Sequence, residues 1–320
     1  MRIWITLFLL FTSLKAATLD EQLAQDVYLA TVNAAIVFTS QDGLSSGVYE
    51  FTNIDTKMRM YNLPLTHHFK PLSEKSNLFM VFDFAYSDVR SDDVVFNANP
   101  TADNNSTFLN LDNRLQTYVG GIGGGIRYRY TKHSDLLFGG ELLYSRVGIS
   151  IRERDGIDGS DVSNLFSNDF NDNFSYKLFA EYSYHRVVYG YKIYTRANYK
   201  LYKTLSTFKV SEILGDIVKD IASLSSQTSV ASIIMGFESD PLYQYEDKSF
   251  TIEPFVKGNY IWGDLATVAK ISGYATAGMS FYWNTPQKSA YIYRYFVEPS
   301  ASYGYGLRGL NLSLGFSLDF

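Results

Sequence analysis

The sequence predicts an all-β fold, a transmembrane antiparallel β-barrel of about twelve strands with one short helix in an external loop. Three observations predict it. The stretch from Leu310 to Phe320 reads LNLSLGFSLDF, in which Leu310, Leu312, Leu314, Phe316, Leu318 and Phe320 alternate with small or polar residues. Strict alternation puts one set on each face of a strand, and a tilted strand of about 9–11 residues crosses a bilayer's hydrocarbon. Next, the 320 residues include 26 Tyr and 23 Phe. Both types favour strands, and Tyr suits the headgroup layer, where a ring needs an apolar body and a wet tip. Finally, the connections between alternating segments are short and long by turns.

The first element is a leader. Arg2 supplies a positive charge, Ile3 to Leu14 form a short apolar run, and Ala16 and Ala17 are the small residues expected near a cleavage site. We expect residues 1–16 to be a signal peptide, 17–26 a short periplasmic segment and 27–320 the barrel. No stretch reaches about 18 uninterrupted apolar residues, so only strands could carry the chain through a membrane. Mean hydropathy is close to that of a soluble protein, as alternating faces dictate. The net charge of −5 offers no footprint for nucleic acid, and the absence of cysteine excludes disulfides, thiolate metal sites and a cysteine nucleophile.

Val27 to Thr39 reads as a first strand, although its Ala-rich composition suits a helix as well, and Gln41-Asp42-Gly43 turns it. Val48 to His68 is an imperfect second strand, with Pro64 tolerated near its end. Leu78 to Tyr86 is a third. A polar loop from Ser91 to Asp112 leads to Leu115–Tyr130, which passes through GGIGGG, and a tight turn at Lys132-His133-Ser134 leads to Leu136–Ile151. A second long loop spans Glu153 to about Asp172. The hairpin Phe174–His185 and Tyr189–Leu201 alternates most clearly. In the third long connection, Ile213, Leu214, Ile217, Val218 and Ile221 recur at helical spacing behind Ser211, a suitable N-cap. Val230–Tyr243, Phe250–Trp262, Ile271–Trp283, Tyr291–Tyr303 and the closing stretch complete the set.

Short connectors near Pro71, His133, Arg186, Asp247 and Pro286 alternate with longer ones near Asn104, Asp161, Ile217 and Asp264. An even strand count with both termini in the periplasm produces that rhythm, and a soluble sandwich has no reason to. The closing strand is expected to pair with Val27–Thr39. Charged residues fall on the polar faces: Asp83, Arg127, Arg129, Glu141, Lys177, Glu181, Lys192, Arg196, Glu253, Lys257, Arg294 and Glu298. Charges facing lipid at mid-bilayer would cost about 2–4 kcal/mol, so these residues are expected to line the lumen.

The alternating closing strand that ends on Phe320 resembles the signature of bacterial outer-membrane β-barrels. With the barrel's size and short leading segment, the chain is similar to a solitary autotransporter-type β-domain without a passenger. The resemblance implies a location in the bacterial outer membrane, contact with its lipids and lipopolysaccharide, and recognition of Phe316, Leu318 and Phe320 by the barrel-insertion machinery. It implies a structural or pore role; the alternatives are a small porin or substrate-specific channel, and a lipid-modifying enzyme or protease.

Catalysis is tested on the histidines. His67, His68, His133 and His185 all fall beside short turns, and no G-x-S-x-G elbow is present, so no catalytic residue, cofactor or metal is assigned. Gly120, Gly121, Gly123, Gly124 and Gly125 lack the Lys-Ser/Thr of a phosphate loop; they read as a place where the wall bends or something packs against it. Asp155, Asp158 and Asp161 offer oxygen ligands at the wrong spacing for a calcium loop. The segment near Ile217 either enters the external mouth, lies on the membrane surface, or packs on neighbouring loops.

Overall fold

A computed structural model describes residues 32–38, 44–97, 108–153, 170–189, 191–206, 224–285 and 292–318. Helix α1 comprises residues 32–38. The strands are β1 (Leu44–Phe51), β2 (Thr56–His68), β3 (Ser76–Asn97), β4 (Phe108–Thr131), β5 (Ser134–Glu153), β6 (Phe170–Val188), β7 (Tyr191–Ser206), β8 (Leu224–Glu238), β9 (Tyr243–Tyr245), β10 (Lys248–Gly263), β11 (Gly273–Asn284), β12 (Ile292–Gly304) and β13 (Leu307–Leu318). Helix α2 (Asp264–Ala269) lies between β10 and β11.

Each strand pairs antiparallel with its sequence neighbour, β10 pairs with both β8 and β11, and β13 pairs back onto β1. The result is a closed barrel of 12 strands, with β9 a short extension beside β10. Closure removes both sheet edges.

Two expectations about the seam are corrected. Residues 32–38, inside the expected first strand Val27–Thr39, are helical, and the closing strand pairs instead with β1, from Leu44↔Leu314 to Glu50↔Arg308. The expected second strand, Val48 to His68, is two strands folded at residues 52–55, where Asp55 takes φ 46. One strand lost and one gained leave the count at twelve. The loop expected from Ser91 to Asp112 is also shorter, because β3 and β4 run on through Ser91–Asn97 and Phe108–Asp112.

Alternation decides which side chains face out. Strand β1 buries Ser45, Gly47, Tyr49 and Phe51 and exposes Leu44, Ser46 and Val48. Around the wall, Leu65, Phe84, Ile122, Leu142, Leu178, Ile233, Val256, Val297, Leu312 and Phe316 are among the exposed large apolar residues. A monomeric protein in water does not carry such a belt, which marks a lipid-facing surface. Aromatic rings bound it. Tyr61, Tyr86 and Tyr118 stand opposite one another on β2, β3 and β4, with ring centroids 6.3 and 5.0 Å apart. Tyr128, Tyr182, Tyr191 and Trp283 are exposed toward the other end. Tyr118 and Tyr128 are separated by about ten residues of strand; at ~3.4 Å each and a tilt near 40° they stand about 26 Å apart along the axis, the height of a transmembrane barrel's apolar band. No helix among the described residues is long and apolar enough to cross a membrane.

Residues 132–133 make a tight turn at one end of the barrel, where β6 also hands over to β7 after Val188. The strand ends Asn97, Phe108, Glu153, Phe170, Ser206 and Leu224, which bound the three longer connections, lie at the other end with the 52–55 turn and α2. Longer loops belong outside and short turns in the periplasm.

Candidate functional site

The site is the lumen, and it is divided along its length. In the half nearer the longer connections its wall is apolar: Tyr49, Phe51, Met58, Met60, Val89, Leu115, Val119, Leu143, Val147, Tyr202, Val230, Ile261 and Leu307 form one buried cluster. Barrel interiors are ordinarily polar. The reason for the exception is α1, whose Val32, Ala34, Ile36, Val37 and Phe38 belong to the same cluster. Every residue of the helix is buried. Apart from Asn33 the helix is apolar all round; such a helix is stable only when surrounded, and the barrel wall surrounds it.

The helix is fixed at both ends. Asn33 donates through Nδ2 to Ser226 Oγ at 2.5 Å and to Thr228 Oγ1 at 3.4 Å, and accepts from Thr204 Oγ1 at 2.6 Å. Phe38 stacks on Tyr274, with centroids 5.8 Å apart, and meets Tyr49 and Phe51 at 5.0 and 5.7 Å. The helix therefore reaches from the β7–β8 wall to β1 and β11. Over it lies α2, which contributes Leu265 and Ala269 to the same cluster, followed by buried Ile271. Asp264 accepts from Ser226 Oγ at 2.8 Å and from the Gln227 backbone at 2.7 Å, so Ser226 joins plug and lid. The sequence predicts no helix at this connection; the short helix expected near Ile217 lies outside the described residues.

Below the plug the interior is charged. Lys177 of β6 reaches Asp83 of β3 at 3.2 Å and contacts Glu141 of β5. Strands β3 and β6 are not neighbours, so that contact passes across the inside. Gly121 and Gly123 make room for Glu141, and Gly125 and Gly139 for the Phe79 and Phe179 rings. A Cβ on Gly121 would meet the Glu141 carboxylate at 2.8 Å, and one on Gly125 would run into the Phe138 carbonyl and meet the Phe79 ring at 2.7 Å. The glycine run is where the wall is thinned so that side chains can lie against it.

A second network occupies the opposite side. Glu238 is contacted by Arg294 at 2.8 Å and Lys192 at 3.5 Å, and accepts from Thr251 Oγ1 at 3.0 Å. The Arg294 guanidinium lies 3.3 Å from the centre of the Tyr282 ring, and Tyr282 donates to Glu253 at 3.3 Å. Glu298 accepts from Ser280 Oγ at 2.6 Å, Arg196 meets Glu181 at 3.5 Å, and Arg127 meets Asp135 at 3.5 Å. Arg129, at the short-turn end of β4, is exposed, and Lys257 lies in β10.

Of the expected charged residues, Asp83, Glu141 and Lys177 form one group, and Lys192, Glu253 and Arg294 a second around Glu238 and Tyr282; Arg196 and Glu181 pair with each other, and Arg127, Glu298, Arg129 and Lys257 lie outside both groups. Glu238, Asp135, Tyr282 and Asn33 belong to these contacts, and the sequence pattern alone does not single them out. Continuing the alternation of β8 past Ile234 to Glu238 is the signal that could have found the first of them. Among the described residues no group of three His, Cys, Asp or Glu side chains could hold a metal. The rings of His133 and His185 stand 6.3 Å apart beside the short turns. Phe316 is exposed, Leu318 ends β13, and Phe320 lies outside the described residues, as do Asn104, Asp155, Asp158 and Asp161.

No family model matches the sequence, and no curated protein matches it. Solved structures do. The β-domain of the Bordetella autotransporter BrkA is similar at a TM-score of 0.57 and 9% identity, over 87% of this chain and 97% of that one. The transport unit of the autotransporter AIDA-I from Escherichia coli gives 0.54 and 9%, over 92% and 99%. The translocator domain of the autotransporter NalP from Neisseria meningitidis gives 0.50 and 13%, over 94% and 98%. At such identities the likeness is one of fold alone: a closed antiparallel β-barrel.

Proposed function

We propose that this chain is an integral protein of the bacterial outer membrane, an autotransporter-like barrel with a structural or pore role, closed at rest by its own residues 32–38. It performs no covalent chemistry. The observation that carries this reading is the complementarity between α1 and the wall. An apolar, fully buried helix lies where an open channel would be polar and wet, and Asn33 fastens it to three wall hydroxyls. A channel role requires the segment to leave. Phe316, Leu318 and Phe320 are assigned to recognition by the insertion machinery on their sequence pattern, and the outer wall to contact with lipid and lipopolysaccharide.

Planar-bilayer conductance tests the closed state. The full chain should show no stable pore, and Ile36→Asp/Phe38→Asp, which places two carboxylates against the apolar wall, should open a conducting one. Steady conductance from the full chain would defeat the reading. Turnover of a lipid or peptide substrate, abolished by His133→Ala or His185→Ala, would favour an enzyme instead.

A further inference from the structure

On the outer wall, cross-strand register assembles a row of charge. Arg308 of β13 stands opposite Glu50 of β1, Glu50 opposite Lys57 of β2, Lys57 opposite Arg90 of β3, and Arg90 opposite Arg114 of β4. One outward position nearer the bilayer, Arg59 stands opposite Asp88. One further is the tyrosine row Tyr61–Tyr86–Tyr118. All these residues face outward, because the positions between them on the same strands (Met58, Met60, Ser87, Val89, Leu115) are buried inside. Tyrosine rows mark the headgroup boundary, so the charged row lies at outer-leaflet headgroup level.

We infer that this row is a binding site for the phosphate groups of an anionic outer-leaflet lipid. Like charges placed directly opposite across strands are destabilising, yet Lys57, Arg90 and Arg114 stand side by side. Asp88 answers only part of this: buried beneath them, it contacts Arg90 at 2.8 Å and Arg114 at 2.7 Å. Their side chains are still 47% and 38% exposed. Arg59, Lys57 and Arg308 are exposed as well. Five cations against two carboxylates leave a local positive excess, in a chain whose net charge is −5. Asp88 takes the Nε and Nη2 donors of both guanidiniums and fixes their planes, which leaves the Nη1 side of each to pair with phosphate oxygens. Basic clusters beside a membrane recognise anionic headgroups in this way. A lipid is the fitting source of phosphate because the row adjoins the lipid-facing belt and not the lumen.

The inference rests on the membrane reading above, and the test separates the two. Flotation of the full chain with phosphatidylcholine vesicles examines membrane embedding alone; failure to float overturns both. Binding is then followed by native mass spectrometry in an uncharged detergent, with bisphosphorylated lipid A and its dephosphorylated form as probes. The full chain should prefer the phosphorylated lipid about tenfold or more. The variant Lys57→Gln/Arg59→Gln/Arg90→Gln/Arg114→Gln should lose that preference. A charge-matched variant at the short-turn end, Lys70→Gln/Lys75→Gln/Lys132→Gln/Lys248→Gln, should keep it. Should the fourfold variant fail to show heat-modifiable migration, Lys57→Gln/Arg59→Gln, which leaves the Asp88 pairs intact, should still lower the preference by roughly threefold. Equal binding by the row variants and the full chain, equal loss in the charge-matched variant, or displacement of the lipid by inorganic phosphate at equal phosphate concentration would each overturn the inference.

Discussion

Replacing Ile122 by arginine separates a lipid-facing wall from a water-facing one. Ile122 is 52% exposed on the outside of β4, between Phe82 of β3 and Leu142 of β5. It lies about four residues inside Tyr118 and six from Tyr128; at ~3.4 Å per residue and a tilt near 40° that is roughly 10 Å below the external girdle, near the midplane. At that depth arginine on the lipid face costs about 2–4 kcal/mol, against about 0–1 kcal/mol near an interface. In water an exposed isoleucine on a strand tolerates the change within about 0.5 kcal/mol. Tyr130, 63% exposed on the same strand beyond the periplasmic girdle, is the control for depth. Urea unfolding in phosphatidylcholine vesicles, followed by tryptophan fluorescence, should show Ile122→Arg less stable by ~2–4 kcal/mol and Tyr130→Arg by ~1 kcal/mol or less. Equal and small effects at both positions would refute the placement of this wall in the bilayer.

The interior makes its own demands. Lys177→Met leaves Asp83 and the fully buried Glu141 side chain facing each other without their cation. It should cost about 3–5 kcal/mol in the same unfolding assay, largely recovered only by adding both Glu141→Leu and Asp83→Leu. Asn33→Ala removes the helix's hydrogen bonds to Thr204, Ser226 and Thr228, which keep Ser175, Asp264 and the Leu265 N–H as their other partners. A loss of about 1–3 kcal/mol is expected, and an unchanged midpoint would show that the plug does not depend on this anchor. Gly125→Ala forces a methyl group into the Phe138 carbonyl and the Phe79 ring; about 1–3 kcal/mol and a lower refolding yield should follow. Gly120→Ala, with nothing within 4 Å of the added Cβ, should be close to neutral.

Strand existence and face were legible in the sequence because a period of two states both at once. The alternation from Leu310 to Phe316 in β13, and from Phe174 to Tyr184 in β6, needs no tertiary information. The seam was not legible. Residues 32–38 read VNAAIVF, too short and too uniformly apolar for either period to show. Only the wall that receives the segment decides that it is a helix. The turn at residues 52–55 carries a signal, Asn53 and Asp55 flanking Ile54, but the apolar residues on either side mask it. Among the charged residues, Arg196 and Glu181 are near neighbours on adjoining strands, and alternation brings them together. The meeting of Lys177 with Asp83 depends on the barrel's curvature, which no local pattern encodes.

Because the natural chain has no cysteine, Ala35→Cys gives a single thiol at the middle of the plug, a position 0% exposed. Labelling by a membrane-impermeant maleimide, against Tyr189→Cys at a 96% exposed turn position, reports directly whether residues 32–38 close the lumen. The folded Ala35→Cys protein should stay unlabelled until it is denatured, while Tyr189→Cys reacts at once. Labelling of folded Ala35→Cys at the rate of Tyr189→Cys would show an open, wet lumen and contradict the plugged barrel.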